Sequence, residues 1–191
     1  MIDRRRAAGT CLYVAGERAD TFYYVKHGAV ALSRAAGHED GEAAPHAVRR
    51  TGSILGLEGL VRDTYVDTAR AATEVTVCAA SRADMAAWIT RQGAALTVLE
   101  CTLLTWCRDN PRRATADGNA RQRVAEWLLE GAERNTSRSL PRSIVAGLLG
   151  MKPETLSRAI AALARRGAIV TNRMRIGIVD RTLLRAIADG D

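Results

Sequence analysis

Apolar and polar positions alternate in two different ways along this chain. Over the first part, apolar residues come in runs of four or five, rich in aromatic and β-branched side chains and punctuated by glycine. Cys11-Leu-Tyr-Val14 stops at Ala15-Gly16-Glu17, and Phe22-Tyr-Tyr-Val25 turns at Lys26-His27-Gly28 into Ala29-Val-Ala-Leu32. Such runs predict the short strands of an antiparallel β-domain. Val48, Ile54-Leu55 and the stretch Ala69 to Val77 supply further strands. The polar segment Ala35 to Pro45 reads as a hairpin tip or loop. From Ser81 the period becomes helical: Ser81-Arg-Ala-Asp84 is a capping-type start, with Met85, Trp88 and Ile89 following at helical spacing.

A longer helix begins at about Gly93. Leu96, Leu99, Leu103 and Trp106 recur by three and four, forming an a/d seam that ends where Asn110 and Arg113 take the next positions. Two heptads are marginal alone, so the seam must pack against the β-domain or against a second copy of itself. The second copy is the preferred reading. Asn110-Pro111 predicts a kink or break, because proline disfavours helical geometry in the residue before it. A further helix is expected from about Asn119 to Glu133, with Val124, Trp127 and Leu128 on one side, followed by a polar connector from Arg134 to Ser139.

The segment 140–167, LPRSIVAGLLGMKPETLSRAIAALARRG, holds two apolar faces joined by a glycine. Ile144, Val145, Leu148 and Leu149 form one, on a helix expected over Pro141–Leu149. Leu156, Ile160 and Leu163 form the other, on a helix over Pro153–Arg166 that stops at Gly167. Glycine at the joint permits a sharp turn, as in a helix-turn-helix. Opposite the second apolar face stand Glu154, Ser157 and Arg158, at i, i+3 and i+4 and therefore on one side. In a helix-turn-helix, the start of the second helix enters the major groove. Arginine there can grip guanine O6 and N7, and glutamate can accept from cytosine N4. These three are the candidate base-reading residues. Arg142, Lys152 and Thr155 lie where phosphate oxygens would be reached. Two short strands, Ala168–Thr171 and Met174–Val179, would form a basic wing with Arg173 and Arg175 at its tip, before a capped tail helix from Asp180.

Charge sharpens this picture. The 191 residues are 47% apolar and 26% charged, which suits ordinary folded domains and argues against a disordered or fibrous chain. Residues 1–111 hold 13 basic and 13 acidic side chains, while residues 112–191 hold 15 and 8, so the net charge of +7 lies wholly in the latter. A neutral front half joined to a basic back half suggests a sensing or assembly domain attached to one that binds a polyanion. No apolar run approaches the roughly 20 residues of a membrane span. Met1-Ile-Asp-Arg-Arg-Arg6 lacks a following apolar core of the export-signal type, so a cytoplasmic protein is expected. Cys11, Cys78, Cys101 and Cys107 form no paired motif and, with His27, His38 and His46, no cluster at metal-ligand spacing. Motifs of nucleophilic, phosphate-binding or metal-dependent catalysis are absent from the sequence. No enzyme, metal or cofactor is expected.

The chain resembles the Crp/Fnr superfamily of bacterial transcription regulators over nearly its whole length. Glu154-Thr-Leu-Ser157-Arg158 matches the E-x-x-S-R signature of the Fnr-like branch, in which these positions read bases. Pro153 stands where catabolite-activator-type members carry a base-reading arginine. Upstream, Gly16-Glu17…Phe22-Tyr-Tyr-Val-Lys-His-Gly28 resembles the family's opening β-roll motif, and Gly52-Ser-Ile-Leu-Gly56-Leu-Glu-Gly-Leu60 resembles its phosphate-binding cassette. That cassette departs from the pattern of the cyclic-nucleotide binders. Leu57 takes the place of the ribose-holding glutamate, with Glu58 one step late. Tyr65-Val66, or the region of Asp67-Thr68, falls where an Arg-Ser/Thr pair would hold the phosphate. Arg62 and Arg70 are the nearby cations in sequence. The resemblance makes Gly56, Glu58, Arg62 and Thr68 the effector-pocket candidates, leaves the effector unknown, and predicts binding to DNA that does not depend on cyclic AMP.

The expected fold is therefore α+β, with an N-terminal antiparallel, jelly-roll-like β-roll, a long dimerisation helix and a C-terminal winged helix-turn-helix. Residues 1–91 would form the sensor domain, 92–116 the dimerisation helix and hinge, and 117–191 the DNA-binding domain. The expected protein is a homodimeric, sequence-specific regulator of transcription, and an activator by preference. Its partners would be double-stranded DNA and, if it activates, RNA polymerase, with no membrane partner. The alternative is a cyclic-nucleotide- or small-ligand-responsive module that acts through a protein partner.

Overall fold

The computed structural model describes residues 2–34, 43–91, 93–109, 118–133, 140–172 and 176–190, with side chains at 2, 106–109 and 132–133 outside the description. The chain divides into two compact units, residues 1–110 and 111–191. In the first, the short apolar runs yield two four-stranded antiparallel sheets. One has the order β1 (Ile2–Arg6), β8 (Val75–Ser81), β3 (Thr21–His27), β6 (Ile54–Leu55). The other runs β2 (Cys11–Tyr13), β7 (Thr68–Ala71), β4 (Ala29–Ser33), β5 (Pro45–Arg50). Their shared core contains Val25, Val30, Leu32, Leu55, Ala69, Val75 and Val77, with Tyr13 and Tyr65 among them.

The turn between β3 and β4 depends on Gly28. Its φ of 90° belongs to the left-handed region, and a side chain there would run into the carbonyl oxygen of Glu74. The strand β1 is absent from the apolar pattern of the sequence. It is an edge strand that pairs with β8 from Ile2↔Ala79 to Arg6↔Val75, and its charged residues suit an edge that must not recruit another strand. Arg5 meets Glu74 at 2.7 Å and Asp3 meets Lys26 at 2.8 Å. The stretch Ala69 to Val77 spans parts of two strands, β7 and β8, with Ala72 to Glu74 between them.

Helix α1 (Arg82–Arg91) starts as its capping pattern predicts: the Asp84 N–H donates to Ser81 Oγ at 3.1 Å, and the Ser81 hydroxyl donates to Asp84 Oδ2 at 2.7 Å. Hydrogen bonding from Ser81 holds the Asp84 carboxyl below the usual carboxylate range. Helix α2 (Ala95–Asp109) follows. It buries Val98 and Thr105, together with Ala94 just before it, within its own unit. The expected kink at Asn110-Pro111 lies outside the described residues.

The second unit is helical around a small core. Helices α3 (Ala120–Glu133), α4 (Arg142–Leu148), α5 (Pro153–Arg165) and α6 (Arg181–Asp189) enclose Val124, Leu128, Val145, Leu149, Leu156, Ile160, Leu163, Leu184 and Ile187. Between α5 and α6, β9 (Ile169–Thr171) and β10 (Ile176–Ile178) pair antiparallel. Asp180 caps α6 by accepting from the Leu183 N–H at 2.8 Å. The loop 35–42, the connector 134–139 and the wing tip with Arg173 and Arg175 lie outside the described residues.

Candidate nucleic-acid interface and sensor cavity

The local sequence explains how α5 is presented. Pro153 sits in its first turn, where the missing N–H costs nothing, and Lys152 precedes it in extended geometry. Leu156, Ala159, Ile160 and Leu163 are buried, which orients the rest of the helix. Glu154 and Arg158 are exposed and Ser157 is half-exposed. The three candidate base-reading residues thus share one accessible face, as their spacing requires. Arg142 is exposed at the first position of α4, and Lys152 is exposed beside the turn; Thr155 is half-buried.

Thr155, Arg158, Ala159 and Ala162 of α5 also line an open groove together with Asn119, Ala120 and Arg121 at the start of α3. This neighbourhood has no signature in the linear sequence, since its two sides lie on separate helices far apart along the chain. The start of α3 is itself fastened by reciprocal capping. Asn119 Oδ1 accepts from the N–H groups of Arg121 and Gln122 at 3.0 and 3.2 Å, and Gln122 Oε1 accepts from the Asn119 N–H at 2.6 Å.

In the first unit a cavity of about 210 Å³ lies between the sheets and α2. Gly56, Leu57 and Glu58 line it beside Tyr13, Leu32, Arg49, Leu55 and Asp67, while α2 contributes Cys101, Thr102 and Thr105. Two of the four pocket candidates, Gly56 and Glu58, are therefore in the lining, and two are not. Arg62 is exposed beyond the short 3-10 helix Leu57–Leu60, and Thr68 Oγ1 accepts from the Ala15 N–H at 3.0 Å. Arg70 points elsewhere, its Nη1 donating to the Gly9 carbonyl at 2.9 Å. The cation that does line the cavity is Arg49, on β5, which no motif in the sequence marks.

An aromatic ring, that of Tyr65, occupies the stretch where the sequence departs from the nucleotide binders. Tyr65 stacks on Tyr13 with centroids 3.9 Å apart and 16° between planes. The Tyr65 hydroxyl donates to the Thr21 carbonyl at 2.6 Å and accepts from the Thr21 N–H at 3.2 Å. Burial pushes the Tyr65 phenol up to about 12 and also raises that of Tyr13. A side chain at Gly56, where φ is 79°, would approach the Thr21 carbonyl at 2.9 Å and the Tyr65 ring at 3.1 Å. Asp67 Oδ1 meets Arg34 Nε at 3.2 Å and His46 Nε2 at 3.1 Å. Burial pushes the Asp67 carboxyl up, but the hydrogen bond and charge from His46, together with Arg34, outweigh it and hold the carboxyl below its usual value.

The residues of α2 divide by face. Leu96, Leu99, Leu103 and Leu104 are between 48% and 65% exposed, whereas Val98 and Thr105 are buried. The side chain of Trp106, the last member of the expected seam, lies outside the described residues. Among the described residues, no helix is long and apolar enough to cross a membrane.

Comparison with known proteins agrees with both halves of this geometry. The family model of the cyclic nucleotide-binding domain matches residues 3–92, and that of the Crp-like helix-turn-helix domain matches residues 122–187. No curated protein matches the sequence. The fold is shared with FixK2 from Bradyrhizobium japonicum, at 22% identity over 97% of this chain and 96% of that one, with a TM-score of 0.80. TTHB099, a CRP-family transcriptional regulator from Thermus thermophilus, is 25% identical over 98% of this chain and 97% of its own, with a TM-score of 0.77. TTHA1359, a CRP/FNR-family regulator from the same organism, is 22% identical over 99% of both chains, with a TM-score of 0.66. With a cyclic-nucleotide-binding-type β-roll followed by a Crp-like helix-turn-helix, the chain belongs to the Crp/Fnr superfamily of DNA-binding transcription regulators.

Proposed function

We propose that this regulator works in the bacterial cytoplasm as a homodimer that binds a near-palindromic DNA site and activates transcription without cyclic AMP. Glu154, Ser157 and Arg158 would read bases in the major groove. Arg142, Lys152 and Thr155, with Arg173 and Arg175 on the wing, would hold phosphates. The observation that carries this reading is the common accessible face of Glu154, Ser157 and Arg158 on a helix whose opposite face is buried. Two such helices on a dimer would enter half-sites about one helical turn apart. RNA polymerase is the partner that activation requires.

Dimerisation is supported by the exposed leucines of α2, which leave a helix of 15 residues with an uncovered apolar face. Residues 1–91 would then be the sensor, 92–116 the dimerisation helix and hinge, and 117–191 the DNA-binding domain. Independence from cyclic AMP is supported by the cavity lining. Glu58 and Asp67 stand there against one cation, Arg49, and Leu57 replaces the ribose-holding carboxylate. A buried phosphate without sufficient cation and hydrogen bonds loses its hydration uncompensated. Selection of bound sites from random duplex DNA, combined with sedimentation, tests the reading. A single recurring near-palindrome bound by two chains supports it, and failure to enrich any sequence overturns it.

A further inference from the structure

We propose that Arg123 is a phosphate-binding residue that meets the DNA backbone at the turn between α4 and α5, a contact that rests on the DNA-binding reading above. Arg123 lies on α3, outside the helix-turn-helix itself. Its side chain is half-buried, and its Nε is sealed from solvent with no hydrogen-bond partner. At its outer end, Nη2 lies 3.4 Å from the point where a side chain at Gly150 would begin. Gly150 is exposed, with a φ of 56°, and forms the turn from α4 towards α5. The guanidinium therefore runs beneath the surface of the unit and brings its outer edge to the turn.

Guanidinium carries five donors and no acceptor and keeps its charge at any physiological pH. Among the described residues, no carboxylate pairs with Arg123. Holding a partly buried cation without an acceptor costs stability. An anion arriving at the turn would meet the Nη2 edge and balance the charge of the group, leaving only the sealed Nε without an acceptor. Lys152 is exposed two residues beyond Gly150. A backbone phosphate suits both the fork geometry of the guanidinium and the cationic setting.

The test compares wild type with Arg123→Met and Arg123→Lys on the selected operator and on random-sequence duplex, between about 50 and 200 mM salt. Arg123→Met should weaken both DNAs alike and make the slope of log affinity against log salt shallower by about 0.9. The advantage of wild type over Arg123→Met should thus shrink about 3.5-fold across that salt range. Arg123→Lys should keep the wild-type slope, and Arg123→Met should melt no lower than wild type, because it removes an unpartnered buried donor. Wild-type binding with an unchanged slope in Arg123→Met overturns the proposal while leaving the DNA-binding reading intact. A lower melting temperature with an unchanged slope also overturns it, by assigning the residue a purely structural task. Absence of any salt-dependent duplex binding by wild type overturns the reading on which it rests. If Arg123→Met does not fold, Arg123→Gln is measured in its place, with the same two outcomes deciding.

Discussion

Val98 and Leu99 are adjacent on α2 and meet different surroundings: Val98 is 8% exposed and Leu99 is 53% exposed. Further along the helix the same division recurs, with Thr105 buried and Leu103 exposed. The helix thus turns its smaller residues towards its own unit and leaves its leucines outside. Replacing Leu99 and Leu103 together with Asp should therefore leave the fold of the unit intact, yield monomers in sedimentation and abolish operator binding. A double variant that stays dimeric would refute this seam.

On the helix-turn-helix, base reading and phosphate holding predict different energetic signatures. Arg158→Ala should cost roughly 1–3 kcal/mol on the operator and relax the preference at one base pair. Arg142→Ala should weaken all sequences similarly and lower the salt slope by about 1. A gel-shift series over single-base operator variants separates the two. An Arg158→Ala protein with unaltered affinity and base preference would show that the wrong helix face had been assigned to the groove.

Cyclic nucleotides should neither bind nor matter. Isothermal titration with cyclic AMP and cyclic GMP should give no micromolar heat signal, and operator affinity should be the same with and without them. Tyr13 and the Asp67 carboxylate line the cavity, and Tyr65, which stacks on Tyr13, stands in the sequence stretch where a phosphate-holding Arg-Ser/Thr pair would be expected. Micromolar binding coupled to a rise in DNA affinity would sink the prediction.

Stability should fall in acid partly through Asp67. Its carboxyl is held below the ordinary value of 3.8 in the folded chain, so its pairing stabilises the fold above that value and is lost as pH drops through the lowered one. Asp67→Asn should lower the melting temperature at neutral pH by about 2–4 °C, the size of roughly 1 kcal/mol in a chain of this length, since both of its partners, Arg34 and His46, are largely open to solvent. The gap to wild type should close as the pH is taken below 3.8. A gap that persists unchanged in acid would show that Arg34 and His46 contribute nothing through the charge of Asp67.

Much of this protein was legible in the order of its residues. The helix-turn-helix, the Ser81 cap and the strand pair around Gly28 all depend on contacts within a few positions, where helical and strand periods translate directly into faces. The accessible face of Glu154, Ser157 and Arg158 follows from the same arithmetic, because the apolar residues of α5 leave it no other orientation. Local patterns also explain why Ser81 and Asp180 begin helices, since each cap closes within a single turn.

Other features were decided by the tertiary structure alone. Strand β1 has Ile2 as its one apolar residue and exists because β8, far along the chain, offers it a ladder. Arg49 lines the cavity rather than Arg62 because β5 carries it there, although Arg62 is nearer the cassette's substituted positions in sequence. Arg121 joins Arg158 in one groove, and Arg123 reaches Gly150, only because α3 packs against α5 and the turn. A residue's own sequence neighbours determine which way it points within its element. Which distant group it then meets depends on how whole elements pack, a choice made by the summed burial of their apolar faces.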